Sequence, residues 1–434
     1  MNKILYLPTR YFPAISGAEF YIQTMAEILN SKYNYQVDIY TSTAIDFKAL
    51  RQSNGRIINI GDKHYDVVNN LKITRFPINY DVLLEEKLKI IKNLPSYNLL
   101  KLSDDCLIDF LKNGPYLGDI IEKIAHSTKF SFDLIHTTFF PYFNLITSLI
   151  LGKLINKTTV CTPFFHFSNP RYLNKNLFEA LKKFDQIIAC TNLEKKVMVE
   201  KFNLLKDKIK VISMGVDYKK FDLSSGRSNN KFKFKQKYFK PKEKKYKMIL
   251  FCGYKNYEKG AISILRALPY IIKKYKKVYF VFIGPSTIAF NLELSKIKKT
   301  ITRRVINLTP DNLKGYYDKK KIAAFNETDV FLMPSRSDAF GIAYLEAWAS
   351  GKPVIGANIG ATPEVIRNNI DGLLVEYDNY LDIANKVITL LKRKNFSKKL
   401  GSEGKIRVRQ NFSWDIVARK THETYQELIS KKVD

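Results

Sequence analysis

The sequence predicts an α/β protein made of two Rossmann-like, doubly wound parallel-sheet domains. Three observations predict it. Short apolar runs of strand length alternate with longer segments of helical period along all 434 residues, which is how a parallel sheet with crossover helices reads. The alternation restarts near residue 248, after a Ser/Gly/Asn-rich stretch (222–230) and a lysine-rich strip (231–247). Finally, Val330 to Ile366 reads as strand, polar turn, helix and strand, and open parallel sheets bind ligands where strands end and helices begin.

The first half opens with a strand at Lys3–Leu7, a turn at Pro13–Gly17 and a helix over about Ala18–Asn30. Ala18, Ile22, Met25, Ala26 and Leu29 give that helix one apolar face. Further strands are expected at Val37–Thr41, Ile73–Phe76, Leu134–His136, Thr159–Thr162, Gln186–Ala189 and Val211–Ile212. Residues 81–125 look helical and fall outside the alternation, so they read as an insertion, a lid or an acceptor surface. The second half offers strands at Met248–Gly253, Val278–Ile283, Arg304–Leu308, Val330–Met333, Val354–Gly356 and Gly372–Val375, with a helix from Gly260 to about Tyr275. Ser413 suits an N-cap, with Asp415 in the first turn of a final amphipathic helix reaching Lys431. The expected organisation is therefore a first domain over 1–220, a basic linker over 221–247, a second domain over 248–412, and a helix over 413–434 that packs back on the first domain.

Composition narrows the class. A hydrophobic fraction of 45% and an aromatic fraction of 13% belong to a globular chain. The net charge of +31 favours anionic partners: phosphates, an anionic membrane or nucleic acid. The strip 231–247 holds nine lysines and one glutamate, interleaved with Phe232, Phe234, Tyr238 and Phe239. It reads as a solvated linker or as a contact for anionic lipid. No segment of signal-peptide length follows Met1, and the apolar run Tyr142–Ile155 is too short to span a bilayer. Four dispersed cysteines (106, 161, 190, 252) read as buried thiols in a reducing cytoplasm.

The chemistry concentrates in a few places. In the turn and helix after Val330–Met333, Asp338 and Glu346 stand with seven residues between them, Phe340 and Gly341 among these. A helix start offers unpaired N–H groups that suit phosphate. Carboxylates do not bind phosphate, so the pair is read as serving sugar hydroxyls, and the pattern predicts a nucleotide-sugar site. Lys259, beside Gly260 at the first helix of the second half, can neutralise a diphosphate. Gly17 can let phosphate approach the first helix of the chain. His166 follows a strand end among aromatic residues and reads as substrate-facing, whereas His136 reads as structural. The five histidines show no metal-ligand spacing, so a metal-independent reaction is expected. No Walker motif, nucleophile elbow or RNA-binding signature is present, and a nucleic-acid partner is disfavoured.

Together these residues resemble a family 4 retaining glycosyltransferase of the GT-B fold, from the group 1 glycosyl transferases. The resemblance is carried by Asp338-x7-Glu346 with Phe340-Gly341, Gly351-Lys352-Pro353, Phe184–Ala189, Gly215-Val216-Asp217, Phe251-Cys252-Gly253 with Lys259-Gly260, and Gly360 with Pro363-Glu364. It implies two domains facing a cleft. It also implies roles: Glu346 on the ribose, Asp338 and the Phe340-Gly341 amides on the donor sugar, Lys259 on the diphosphate, Gly17 in the phosphate loop, His166 facing sugar or acceptor, and Glu19 near the acceptor. Three departures stand out. Asp338 replaces a Glu and is shorter by roughly 1.3 Å, which matters where placement is tight. Tyr254 stands where an Arg is usual, with Lys255 as its neighbouring substitute. Ser16 stands where a glycine is common.

The expected reaction is transfer from a nucleoside-diphosphate sugar to a hydroxyl of a glycan or lipid-linked acceptor, with no cofactor. The expected place is the cytoplasm, peripheral to the inner face of the membrane. The alternatives are a GT-B epimerase and a degenerate, non-catalytic binding protein.

Overall fold

In the computed structural model the described residues are 1–14, 16–61, 65–126, 130–166, 169–222 and 232–431. They form two compact units, Met1–Ser213 joined by Asp415–Asp434, and Met214–Trp414.

The first unit is built on eight strands: β1 (Lys3–Pro8), β2 (Gln36–Ser42), β3 (Tyr65–Val68), β4 (Leu71–Phe76), β5 (Leu134–Thr138), β6 (Thr158–Thr162), β7 (Gln186–Ala189) and β8 (Ile209–Val211). Their order is β3-β4-β2-β1-β5-β6-β7-β8. Only β3 runs antiparallel, paired to β4 with Tyr65 opposite Thr74. The order reverses direction between β1 and β5, where Ile4 pairs with Leu134. Central strands of such a sheet are covered on both faces, and every residue of β5 and β6 is buried.

The insertion is four helices, Leu84–Lys92, Pro95–Asn98, Asp104–Asn113 and Gly118–Ala125. Ile91, Leu94, Phe110 and Ile120 enter the main core of the unit, so these helices are packed against the domain rather than laid over it as a flap. The apolar run at Tyr142–Ile155 is a buried helix, Asn144–Leu154, whose Asn144 amide donates to the carbonyl of Leu7 at 2.9 Å. Among the described residues no helix is long and apolar enough to cross a membrane. The last helix, Trp414–Ser430, packs on the first unit: the hydroxyls of Tyr425 and Tyr6 lie 2.9 Å apart, and Gln426 donates to the Tyr35 hydroxyl at 2.8 Å.

The second unit has six parallel strands: β9 (Lys247–Cys252), β10 (Val278–Ile283), β11 (Val305–Leu308), β12 (Val330–Met333), β13 (Val354–Ala357) and β14 (Gly372–Val375), in the order β11-β10-β9-β12-β13-β14. Here the reversal lies between β9 and β12, where Phe331 pairs with Leu250. The strip expected to be a linker belongs to this unit. Phe234 is fully buried on a short helix (Phe234–Tyr238), Phe239 stacks on Tyr279 at 4.0 Å, and the N–H groups of Phe234 and Lys235 donate to Glu327 at 2.6 and 2.9 Å. Phe234 and Phe239 thus pack inward, while Lys233, Lys237, Lys240, Lys242 and Lys245 are exposed. Of the expected Ser/Gly/Asn-rich stretch, residues 223–230 lie outside the described residues.

Candidate functional site

The switch point of the second sheet gathers the main candidates. The loop after β9 carries Lys259 and the loop after β12 carries Asp338, and their side chains pair at 2.7 Å. The Lys259 ammonium also donates to the Ser337 carbonyl at 3.2 Å. The two loops are fastened by Glu258. Its carbonyl accepts from Ser335 Oγ at 3.0 Å and from the Arg336 N–H at 2.8 Å, and its carboxylate takes the Arg336 guanidinium in a forked pair. Gly260 makes the approach possible: it sits at φ +75°, and a Cβ there would lie 2.3 Å from the Pro334 carbonyl oxygen.

Gly341 begins the next helix, Ile342–Ala349, from a left-handed conformation at φ +94°. A helix start leaves its first amides without intrahelical partners, although here the Tyr344 N–H already bonds to the Gly341 carbonyl at 3.0 Å; Gly341 lies three residues after Asp338. Phe340 is nearly buried, edge-on to Phe412 at 5.5 Å. Glu346 lies on the same helix, but its carboxylate is 1% exposed and pairs with Lys321 at 2.7 Å. The Tyr316 hydroxyl bonds to the same carboxylate, burial raises that phenol's pKa, and the Lys321 ammonium sits 3.7 Å from the Tyr316 ring. Glu346 is thus part of a buried, compensated pair beneath the helix start.

Lys255 stands apart from the phosphate role expected of it. It is fully buried, and its ammonium donates to Ser286 Oγ, Asn307 Oδ1 and the Leu308 carbonyl, the last at 2.9 Å. Burial lowers its pKa to about 8. A buried lysine must satisfy three N–H donors internally, and the loop after β10 and the last residues of β11 supply the acceptors. Tyr254, by contrast, is 40% exposed.

In the first unit, Gly17 is the first residue of the helix Gly17–Lys32. Glu19, in the first turn, is buried: Arg10 pairs with it at 2.8 Å and Ser16 Oγ donates to it. Its carboxylate is therefore occupied within the loop after β1. His166 is partly buried past the end of β6, with its ring 5.2 Å from Tyr172 and 6.2 Å from Phe139. The loop that bears it is held by Glu194, a fully buried carboxylate that accepts from the N–H of Phe165 at 3.0 Å and of Cys190 at 2.6 Å. His136 is fully buried between the Tyr425 hydroxyl and Thr162 Oγ1, and burial lowers its pKa to about 3. Sequence reading missed Arg10, Glu194, Glu258, Lys321 and Arg336. Each is a charged side chain whose partner lies elsewhere in the chain, apart from the near neighbours Arg10 and Glu19.

Both halves of the chain match known families. The family described as Glycosyl transferases group 1 matches residues 232–407, and that described as Glycosyltransferase Family 4 matches residues 105–220. An uncharacterized glycosyltransferase of Methanocaldococcus jannaschii, MJ1069, is 22% identical over 436 residues, 99% of each chain. Another from that organism, MJ1607, is 29% identical, over 56% of this chain and 60% of its own length. An uncharacterized 41.2 kDa protein in the cps region of Klebsiella pneumoniae is 30% identical over 283 residues, 63% of this chain and 71% of that one. Among solved structures, Anabaena HepE in complex with UDP-glucose superposes with a TM-score of 0.70 at 14% identity, covering 98% of this chain and all of that one. Two parallel-sheet units, each with its charged loops at the switch point, and matches in both halves lead to one conclusion: the chain belongs to the family 4, group 1 glycosyltransferases of the GT-B fold.

Proposed function

We propose that this chain transfers a sugar from a nucleoside-diphosphate sugar to an acceptor hydroxyl, with retention at the anomeric carbon and without a metal ion. The observation that carries the reading is the Lys259–Asp338 pair at 2.7 Å, set between the loops after β9 and β12 and just before the Gly341 helix start. In this reading the diphosphate takes the Lys259 ammonium and the first-turn amides, and Asp338, freed from Lys259, takes a sugar hydroxyl. Lys259 then stabilises the departing diphosphate, a contact worth ~3 kcal/mol at the transition state. A departing phosphate oxygen accepts the proton of the incoming hydroxyl, so no protein base is needed. Glu346 meets the ribose only by sharing its carboxylate with Lys321 and Tyr316. Lys255 serves the loops and not the phosphate.

His166 and the helix at Gly17 give the first unit its sugar-facing groups. Two relatives support the substrate class: Anabaena HepE forms a complex with UDP-glucose, and the Klebsiella pneumoniae relative belongs to a cps region. A glycan or lipid-linked acceptor at an anionic membrane surface fits the net charge of +31.

The test is a thermal-shift panel of UDP-, GDP- and ADP-sugars, followed by NMR of the product formed with the stabilising donor. A stabilising donor and a product that keeps the donor's anomeric configuration are expected. An inverted product would remove the retaining route, and binding without turnover would leave a degenerate binding protein.

A further inference from the structure

The amino ends of the second sheet carry a concentration of positive charge that the donor chemistry does not use. Strands β9, β10 and β11 are neighbours and all parallel, so the segments that lead into them emerge side by side at one edge. Residues 240–247, before β9, hold five lysines and one glutamate. Residues 273–277, before β10, hold four lysines and no acid. Residues 296–304, before β11, hold three lysines and two arginines, again with no acid. The one acid within these three segments, Glu243, pairs with Arg304 at 2.7 Å; from outside them Asp329 pairs with Lys247 at 2.6 Å and Glu293 with Lys296 at 3.2 Å. Lys273, Lys274, Lys276 and Lys277 are all exposed. The helix Ile288–Ser295 runs down to the same edge and exposes Leu292, one turn before Lys296, at 58%.

We propose that this edge is a docking surface for an anionic lipid bilayer. Opposite charge is the ground for it, and three details favour lipid over nucleic acid. The cations are mostly lysines, point charges suited to a diffuse headgroup layer rather than to bidentate recognition of a base or phosphate. Several aromatic residues at this edge are engaged inside the unit: Phe239 stacks on Tyr279 at 4.0 Å and Arg304 covers Tyr246 at 4.8 Å, so these rings offer bases no stacking platform. Leu292 adds an apolar side chain able to enter the headgroup layer. The Lys259 loop leaves the opposite end of β9, about 20 Å away for a strand of six residues. Docking by this edge therefore keeps the donor loops clear of lipid. The proposal rests on the membrane part of the reading above and not on its donor chemistry.

The test is co-sedimentation of the full chain with vesicles of phosphatidylcholine alone and with phosphatidylglycerol added. Binding only to the anionic vesicles is expected, and it should fall as salt is raised. The variant Lys273→Glu, Lys274→Glu, Lys276→Glu, Lys277→Glu should bind at least about tenfold more weakly. A control with the same charge change on exposed lysines of the first unit, Lys112→Glu, Lys182→Glu, Lys201→Glu, Lys206→Glu, should bind nearly as the parent does. Equal loss in both variants, binding to neutral vesicles, or displacement from vesicles by a single-stranded oligonucleotide would each overturn the proposal. Thermal shift with the nucleotide sugar, run on the same variants, reports the donor site separately: a chain that binds vesicles but no nucleotide sugar keeps this surface and loses the proposed function.

Discussion

Lys259 and Asp338 are each other's partner when nothing else is bound. Replacing Lys259 by alanine should lower turnover by about 100-fold or more. The melting temperature should fall only modestly, because the Asp338 carboxylate that loses its partner keeps 15% exposure to water. Steady-state kinetics with differential scanning fluorimetry checks both. His136 makes a different prediction. Its pKa is lowered from 6.5 to about 3 by burial, so the unfolded chain binds the proton first. Above about pH 6.5 neither state is protonated and there is no penalty. As pH falls from there towards 3, the cost of keeping the imidazole neutral grows to several kcal/mol, ~1.4 per unit. His136→Gln should flatten the loss of stability across that window in urea titrations. An unchanged slope would mean that His136 is not the titrating group.

At the level of elements, the paired loops depend on residues the reaction does not touch. Glu194 holds the His166 loop to the end of β7 through two N–H groups. Glu194→Gln keeps one acceptor oxygen and turns an N–H₂ towards an N–H donor, a loss of about 1–3 kcal/mol. It should reduce turnover while leaving donor affinity unchanged, and the loss should vanish in a His166→Ala background, since both changes act through one side chain. Additive losses would make Glu194 a matter of stability alone. The elements also show what could be read in advance. The buried parallel strands announced themselves as apolar runs, and β10, β12 and β14 have the expected bounds. β3 did not: Tyr65-Asp66-Val67-Val68 is four residues at a sheet edge, too short to show alternation. Lys259 and Asp338 stood out because their motifs are local. Arg336 was missed because it is informative only beside Glu258, 78 residues earlier. The buried setting of Lys255 was hidden for the same reason, since Asn307 lies 52 residues away.

For the molecule as a whole, both sheets obey one rule: the strand order turns back beside the first strand of each sheet, and charged loops collect there. The first unit is discontinuous in sequence, because the chain leaves it after Ser213 and re-enters at Asp415. Tyr425 is the link, bonded to both Tyr6 and His136 while fully buried. Tyr425→Phe strands both partners, at about 1–3 kcal/mol each, and should lower the chemical-denaturation midpoint of the first unit. A near-neutral result would show that the last helix adheres by its apolar face alone.

That link also imposes a timetable on synthesis. The Tyr6–Tyr425 bond joins residues 419 positions apart, whereas the second unit is one continuous stretch. On a ribosome adding residues from the amino terminus, the first unit is made first yet can close only after the second has emerged. Until then the seat of the last helix, with Tyr6, Tyr35 and His136, stands open to water and to chaperones.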